Sequence, residues 1–136
     1  MRVVLDTNVL FAALVAAGLC HEVFRRVARA NAVVTSEPLL NELDDILKHK
    51  FRMTPAVNLF VTELRRRAAV VKPAPLKARI CRDPNDDVVL ATAVAAKAEV
   101  IVTGDADLLV LKEYQGIRIM SPRQFLELLD RAARSL

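Results

Sequence analysis

VVLDTNVL, residues 3–10, runs three apolar residues straight into an aspartate, places an asparagine two positions later, and then resumes an apolar pattern. A buried segment that ends on a carboxylate needs a reason, because a charge beside a core is costly unless it is paired. The arrangement recurs at VIVTGDAD, residues 100–107, where another apolar run ends in Thr103, Gly104 and Asp105, with Asp107 two positions on. In a parallel α/β sheet the carboxyl ends of the strands form the ligand crevice. Two aspartates delivered by two such strands are therefore expected on one rim. Each also suits a plainer role, as the cap of the helix that follows.

Outward from these two stretches, strand-like runs alternate with helical patterns along the whole chain. That alternation predicts an α/β fold, three layers (α/β/α) with a roughly five-stranded parallel sheet. Strands are expected at RVVL (2–5), AVVTS (32–36), AAVV (68–71), EVIVTGD (99–105) and GIRIM (116–120). NVLFAALVAAG (8–18) reads as a buried helix stopped by Gly18, and a second helix runs from about Cys20 to Ala30. Ser36 is the expected cap of the third helix, which carries Leu39, Leu40, Leu43, Ile46 and Leu47 at helical spacing. Thr54 with Pro55 opens the fourth helix, and Asp83 with Pro84 opens the next. Ser121 and Gln124 make a capping box for a last helix over residues 121–136. No repeat, low-complexity stretch or linker divides the 136 residues, so a single domain over 1–136 is expected.

The composition narrows the function. A 54% hydrophobic content with 3 glycines argues against disorder. Two cysteines, Cys20 and Cys81, are too few for a disulfide framework and point to a reducing compartment. No secretory signal is legible, since Asp6 interrupts the apolar run at the start, and a cytoplasmic protein with no membrane association is expected. The net charge of +4 permits a polyanionic partner without proving one.

Two further carboxylates are candidates for the rim. Glu42 sits at the edge of the apolar stripe of its helix, although Asp44 occupies the other edge. Asp86 falls in the first turn of an apolar helix, where a carboxylate also favours the helix dipole, and its neighbour Asp87 competes for any role given to it. Converging carboxylates repel, and a divalent cation relieves that repulsion. An all-oxygen set favours Mg²⁺ or Mn²⁺, whereas His21 and His49 have no spacing that suggests zinc.

With these residues in order, the chain resembles a PIN domain, the family of small metal-dependent ribonucleases that includes VapC-type toxins of bacterial toxin–antitoxin operons. The resemblance rests on VVLDTNVL, SEPLLNELDDIL, RDPNDDVVLATA and VIVTGDADLL. The closing IRIMSPRQFLELL is similar to a subgroup of PIN-family toxin components. It implies that Asp6, Glu42, Asp86 and Asp105 are the catalytic, metal-holding acids, with Asp107 an accessory ligand. Asn8, Ser36 and Thr103 are then the polar residues that orient the acids or hold water. It implies phosphodiester hydrolysis with Mg²⁺ or Mn²⁺, an RNA substrate, a cognate antitoxin and a homodimer. LFAALVAAG (10–18) or the helix at 54–67 is a candidate for the dimer face, and either equally suits the core.

Candidate RNA contacts are Arg25, Arg26 and Arg29 on one helix, Lys48, Lys50 and Arg52 after another, and Arg65 to Arg67. Each also fits a solvated face or the end of a helix dipole. With 5 Phe, 1 Tyr and no Trp, base stacking is not expected to carry specificity. A response-regulator receiver would need a lysine after the last strand, and IRIMSP supplies none. The remaining alternatives are a nuclease that processes cellular RNA and an RNA-binding module with vestigial hydrolysis.

Overall fold

In the computed structural model, which describes residues 1–134, β1 (Val3–Leu5) is fully buried and lies at the middle of the sheet. On one side it pairs in parallel with β2 (Val33–Ser36), which pairs with β3 (Ala69–Val71). On the other it pairs in parallel with β4 (Val100–Val102), which pairs with β6 (Ile117–Met120). The strand order is β3-β2-β1-β4-β6-β5, so the chain winds outward in opposite directions from β1 and β4. That reversal is the switch point at which ligands of open α/β sheets bind.

The helices are α1 (Thr7–Val15), α2 (Leu19–Arg29), α3 (Glu37–Lys50), α4 (Pro55–Arg67), α5 (Pro84–Ala96), α6 (Ala106–Leu109) and α7 (Pro122–Arg134). The period-2 alternation of the strands decides which helix they meet. Val3, Leu5, Val33, Val100 and Val102 point into a cluster with Val9, Leu10, Val23, Leu43, Leu64 and Phe125. Val4, Val34, Ile101 and Ile119 point the other way, onto Val89, Leu90 and Ala93 of α5. A layer of helices thus covers each face of the sheet, as the alternation predicts.

Three local features differ from the sequence expectation. The sheet gains a sixth, antiparallel edge strand, β5 (Glu113–Tyr114), hairpinned onto β6 with Tyr114 opposite Ile117. Its two-residue turn places Gln115 at φ 50° and Gly116 at φ 83°, the pair of positive angles that suits the twist of a tight hairpin. α1 stops at Val15 instead of running to Gly18, because the chain turns by 105° into α2, and Gly18 becomes the N-cap of that second helix. Ser36 occupies the N-cap position of α3 but gives its hydroxyl no role there, as described below. Thr54, Asp83 and the Ser121/Gln124 pair do cap their helices. Of the expected last helix, Ser135 and Leu136 lie outside the described residues.

Both cysteines are free. Among the described residues no single helix is long and apolar enough to cross a membrane.

The core sets a stability expectation. Phe125 is 1% exposed and is the fully buried residue by which α7 docks on the sheet. Phe125→Ala should cost about 3–5 kcal/mol, while Val110→Ser, at a position 72% exposed, should cost less than about 0.5 kcal/mol. Urea unfolding of the two variants checks this, and similar losses would contradict the assignment of α7 to the core.

Candidate acidic metal site

Asp6 leaves β1 at the switch point, and its backbone N–H continues the β1–β4 ladder to Val102 O at 3.0 Å. Its carboxylate is buried and accepts three hydrogen bonds: from Thr7 N at 2.7 Å, from the Thr103 hydroxyl at 2.7 Å and from Asn8 Nδ2 at 3.2 Å. Asn8 Oδ1 in turn accepts from Gly104 N at 3.3 Å, so Asn8 ties the turns after β1 and β4 together. Burial pushes the Asp6 carboxyl above its ordinary pKa, and Asp105 adds to the rise; the hydrogen bonds from Thr103, Thr7 and Asn8 oppose it.

Asp105 stands in the turn after β4. Its backbone N–H donates to the Thr103 hydroxyl at 3.0 Å, the same hydroxyl that donates to Asp6. It caps α6 by accepting from Asp107 N at 2.8 Å, so the helix-cap reading holds alongside any other. Asp86, Asp105 and Asp107 each present a carboxylate oxygen within 4.8 Å of the others, a grouping suited to a cation.

The first turn of α5 separates the two neighbouring aspartates. Asp87 turns back and accepts from Cys81 N at 2.8 Å and Ile80 N at 3.2 Å, pinning the loop that enters the helix. Asp86 turns toward the other acids and is 8% exposed. Burial lifts its pKa to about 7, and the negative charges of Asp105, Asp83 and Asp6 push in the same direction. Glu42, half-buried on α3, is raised first by burial and then by Asp6 and Asp83. Repulsion thus links Asp6 with Asp105, Asp86 with Asp105 and Asp6, and Glu42 with Asp6.

Thr7 and Asp83 are participants that sequence reasoning passed over. The Thr7 hydroxyl is buried and has no partner at hydrogen-bonding distance, yet it lies close enough to Glu42 to favour that carboxylate's ionised form. Asp83 caps α5 and also adds negative charge to the site. The sequence signals were present, since Thr7 adjoins Asp6 and Asp83 precedes a proline at a helix start.

Other expected residues are placed differently. The Ser36 hydroxyl bonds Thr92 Oγ1 at 2.9 Å and ties the end of β2 to α5, the helix that carries Asp86. Arg25 is paired with Glu22 at 2.6 Å and Arg26 with Asp130 at 3.0 Å. Just past α2, Ala32 O accepts from Val3 N at the start of β1, which puts Arg29 near the amino ends of the strands. Lys48 and Lys50 end a 14-residue helix that begins at the acidic rim and rises roughly 21 Å, so they and Arg52 lie toward the far edge. Arg65 pairs with Glu37 at 2.6 Å, and Arg66 and Arg67 pair with Glu63. Burial, with help from Asp87, pushes the Cys81 thiol up to about 12, which makes it inert as a nucleophile.

These acids fit a divalent cation. All the donors are oxygens, a set that suits Mg²⁺ or Mn²⁺. Without an ion, the folded chain keeps a proton on Asp86 that the unfolded chain has lost by about pH 5. The folded state then binds more protons, so stability falls as pH rises from about 4 through about 7. In EDTA the melting temperature should drop between about pH 5 and pH 8, and Asp86→Asn should flatten that drop and raise the value at the upper end. Asp87→Ala should instead lower it across the range, because two backbone N–H groups lose their acceptor. Thermal melts of the three proteins decide it, and an unchanged slope in Asp86→Asn would contradict the assignment.

Comparison with known proteins bears on the family and the fold. No match is found among the curated proteins. Among solved structures, the fold is similar to that of a chain in the crystal structure of VapBC2 from Rickettsia felis bound to a DNA fragment from their promoter. The two share 16% identity at a TM-score of 0.58, over 88% of this chain and 97% of that one, a likeness of fold. The family model of the PIN domain matches residues 2–107, a span that includes Asp6, Glu42, Asp86, Asp105 and Asp107. The chain belongs to the PIN-domain family.

Proposed function

We propose that this protein is a Mg²⁺- or Mn²⁺-dependent ribonuclease and the toxin of a toxin–antitoxin pair. The observation that carries the reading is the convergence of Asp6, Glu42, Asp86 and Asp105, from four separate segments, on the switch point of the sheet. Carboxylates that burial and mutual repulsion push above their ordinary pKa, as at Asp6, Glu42 and Asp86, are a poor arrangement for stability alone and a good one for holding a cation.

Asp86, Asp105 and Asp107, whose carboxylate oxygens lie within 4.8 Å of one another, would hold the ion, with Asp6 and Glu42 completing the set directly or through water. When bound, Mg²⁺ or Mn²⁺ supplies charge that polarises the phosphate and makes water a stronger nucleophile at neutral pH. The protein's own part is positioning. Thr103 and Asn8 fix the Asp6 carboxylate, and Thr103 orients the Asp105 turn through its backbone N–H. Asp87 holds the loop at the mouth of the site, and the Ser36–Thr92 bond holds α5. Glu42, half-buried beside Asp6, would be placed to take a proton from a water entering the site.

Membership of the PIN family supports the nuclease chemistry, and the likeness in fold to the VapBC2 chain supports an antitoxin partner. A homodimer belongs to the same reading. Both candidate faces leave apolar side chains at the surface, Val15 at 41% in the first and Leu59 at 62% in α4, so either is free to meet a second copy.

Cleavage of total RNA in Mn²⁺, in Mg²⁺ and in EDTA tests the proposal. Wild type should cut with either metal and not in EDTA, and Asp6→Ala should lose on the order of 100-fold or more in rate. Cutting that survives EDTA or the substitution would contradict the mechanism. RNA binding without cutting in either metal would favour the binding-module reading.

A further inference from the structure

Arg82 is the cation paired with the acidic site, and neither the metal chemistry nor the fold uses it. Its Nη2 donates to Asp107 Oδ1 at 2.7 Å, while its side chain is 87% exposed. A guanidinium carries five N–H donors, so most of them face solvent at the edge of the carboxylate group. An ion pair this exposed contributes little to stability, and stability does not explain why it is there.

The backbone beneath it is held unusually firmly for a loop. Asp87 accepts from Ile80 N and Cys81 N, and the Arg79 guanidinium donates to Cys81 O at 3.2 Å and to Arg82 O. On the other side, Asp83 caps α5. Arg82 is thus an exposed cationic head on a hydrogen-bonded base, in the field of Asp107 first and Asp105 second. Among the described residues, Asp107 is the acid of this rim that is ion-paired, and its partner is Arg82. Arg29, Lys48, Lys50 and Arg52 stand toward the opposite edge of the sheet, and Arg25 and Arg26 are engaged elsewhere.

We infer that Arg82 is the residue that grips the substrate's phosphate at the acidic site, and that Asp107 holds it in place until RNA arrives. The inference rests on the ribonuclease reading and adds to it a substrate contact outside the metal-holding acids. A guanidinium suits the task because its planar fork matches two phosphate oxygens at once, which an ammonium does not. With its guanidinium on phosphate, Arg82 would leave Asp107 free as one of the acids that would hold the ion.

The test compares wild type, Arg82→Ala and Arg82→Lys by three readouts. The first is anisotropy of a labelled single-stranded RNA oligonucleotide, in Ca²⁺ and in EDTA, across a salt series. The second is calorimetric titration with Mn²⁺ alone, and the third is steady-state cleavage. Arg82→Ala should bind the RNA about tenfold more weakly, with a salt slope reduced by about one. Its Mn²⁺ affinity should be equal or higher, because a competing cation has left Asp107. Its KM should rise about tenfold with kcat changed less than about threefold, and Arg82→Lys should recover part of the loss.

Unchanged RNA affinity and salt slope would overturn the inference. So would a parallel fall in Mn²⁺ affinity and RNA binding, which would make Arg82 a prop for Asp107. Failure of wild type to cut or to bind Mn²⁺ would sink the ribonuclease reading instead. The anisotropy in EDTA, which needs no metal, then still decides whether Arg82 contacts RNA.

Discussion

The hydrogen bond from the Thr103 hydroxyl to the Asp6 carboxylate, 2.7 Å long and buried, is the contact on which the site depends. It spans 97 residues of sequence and joins the ends of the two strands between which the sheet reverses direction. The same hydroxyl accepts from Asp105 N. One oxygen atom therefore sets the relation between the first and last of the expected acids. A buried carboxylate without such donors would be costly, and with them it is fixed in one orientation. The sheet makes the bond possible, because parallel pairing of Leu5 with Val102 brings both strand ends to the same level.

The fold tolerates an electrostatic cost at that level. Asp86, Glu42 and Asp6 all have carboxyl pKa values raised by burial and by one another. The cost is offset by the two apolar clusters on either side of the sheet and by helix caps that use several of the same acids. Asp105 and Asp6 thus serve two ends at once, helix start and acidic rim. The plain capping reading and the functional reading of these residues are compatible, not rival.

The legible parts of this protein are those where local pattern and tertiary position coincide. A β-branched run broken by a charge marked Asp6 and Asp105, and the order of the apolar segments gave the layered α/β architecture. The hairpin at Gln115–Gly116 was missed because its turn uses a glutamine at positive φ, where asparagine or aspartate is the usual signal. α1 ran long in the sequence reading because Ala16 and Ala17 suit a helix, and the need to turn 105° onto the same face is a tertiary demand. Asp86 and Asp87 share one helical turn, so periodicity cannot separate them. The irregular loop at 79–82, which claims Asp87, does so in three dimensions. Arg82 was passed over for the same reason: it belongs to no periodic element, whereas the arginines of α2 stood out as a cluster.

The most direct test of the central claim, that these carboxylates are brought together to share a divalent cation, is an anomalous-scattering map from crystals grown with Mn²⁺. The account predicts a manganese peak among Asp86, Asp105 and Asp107, at coordination distances of about 2.1 Å from carboxylate oxygens, and its loss in Asp105→Asn. A map with no peak at that position, or with manganese bound elsewhere on the protein, would contradict it.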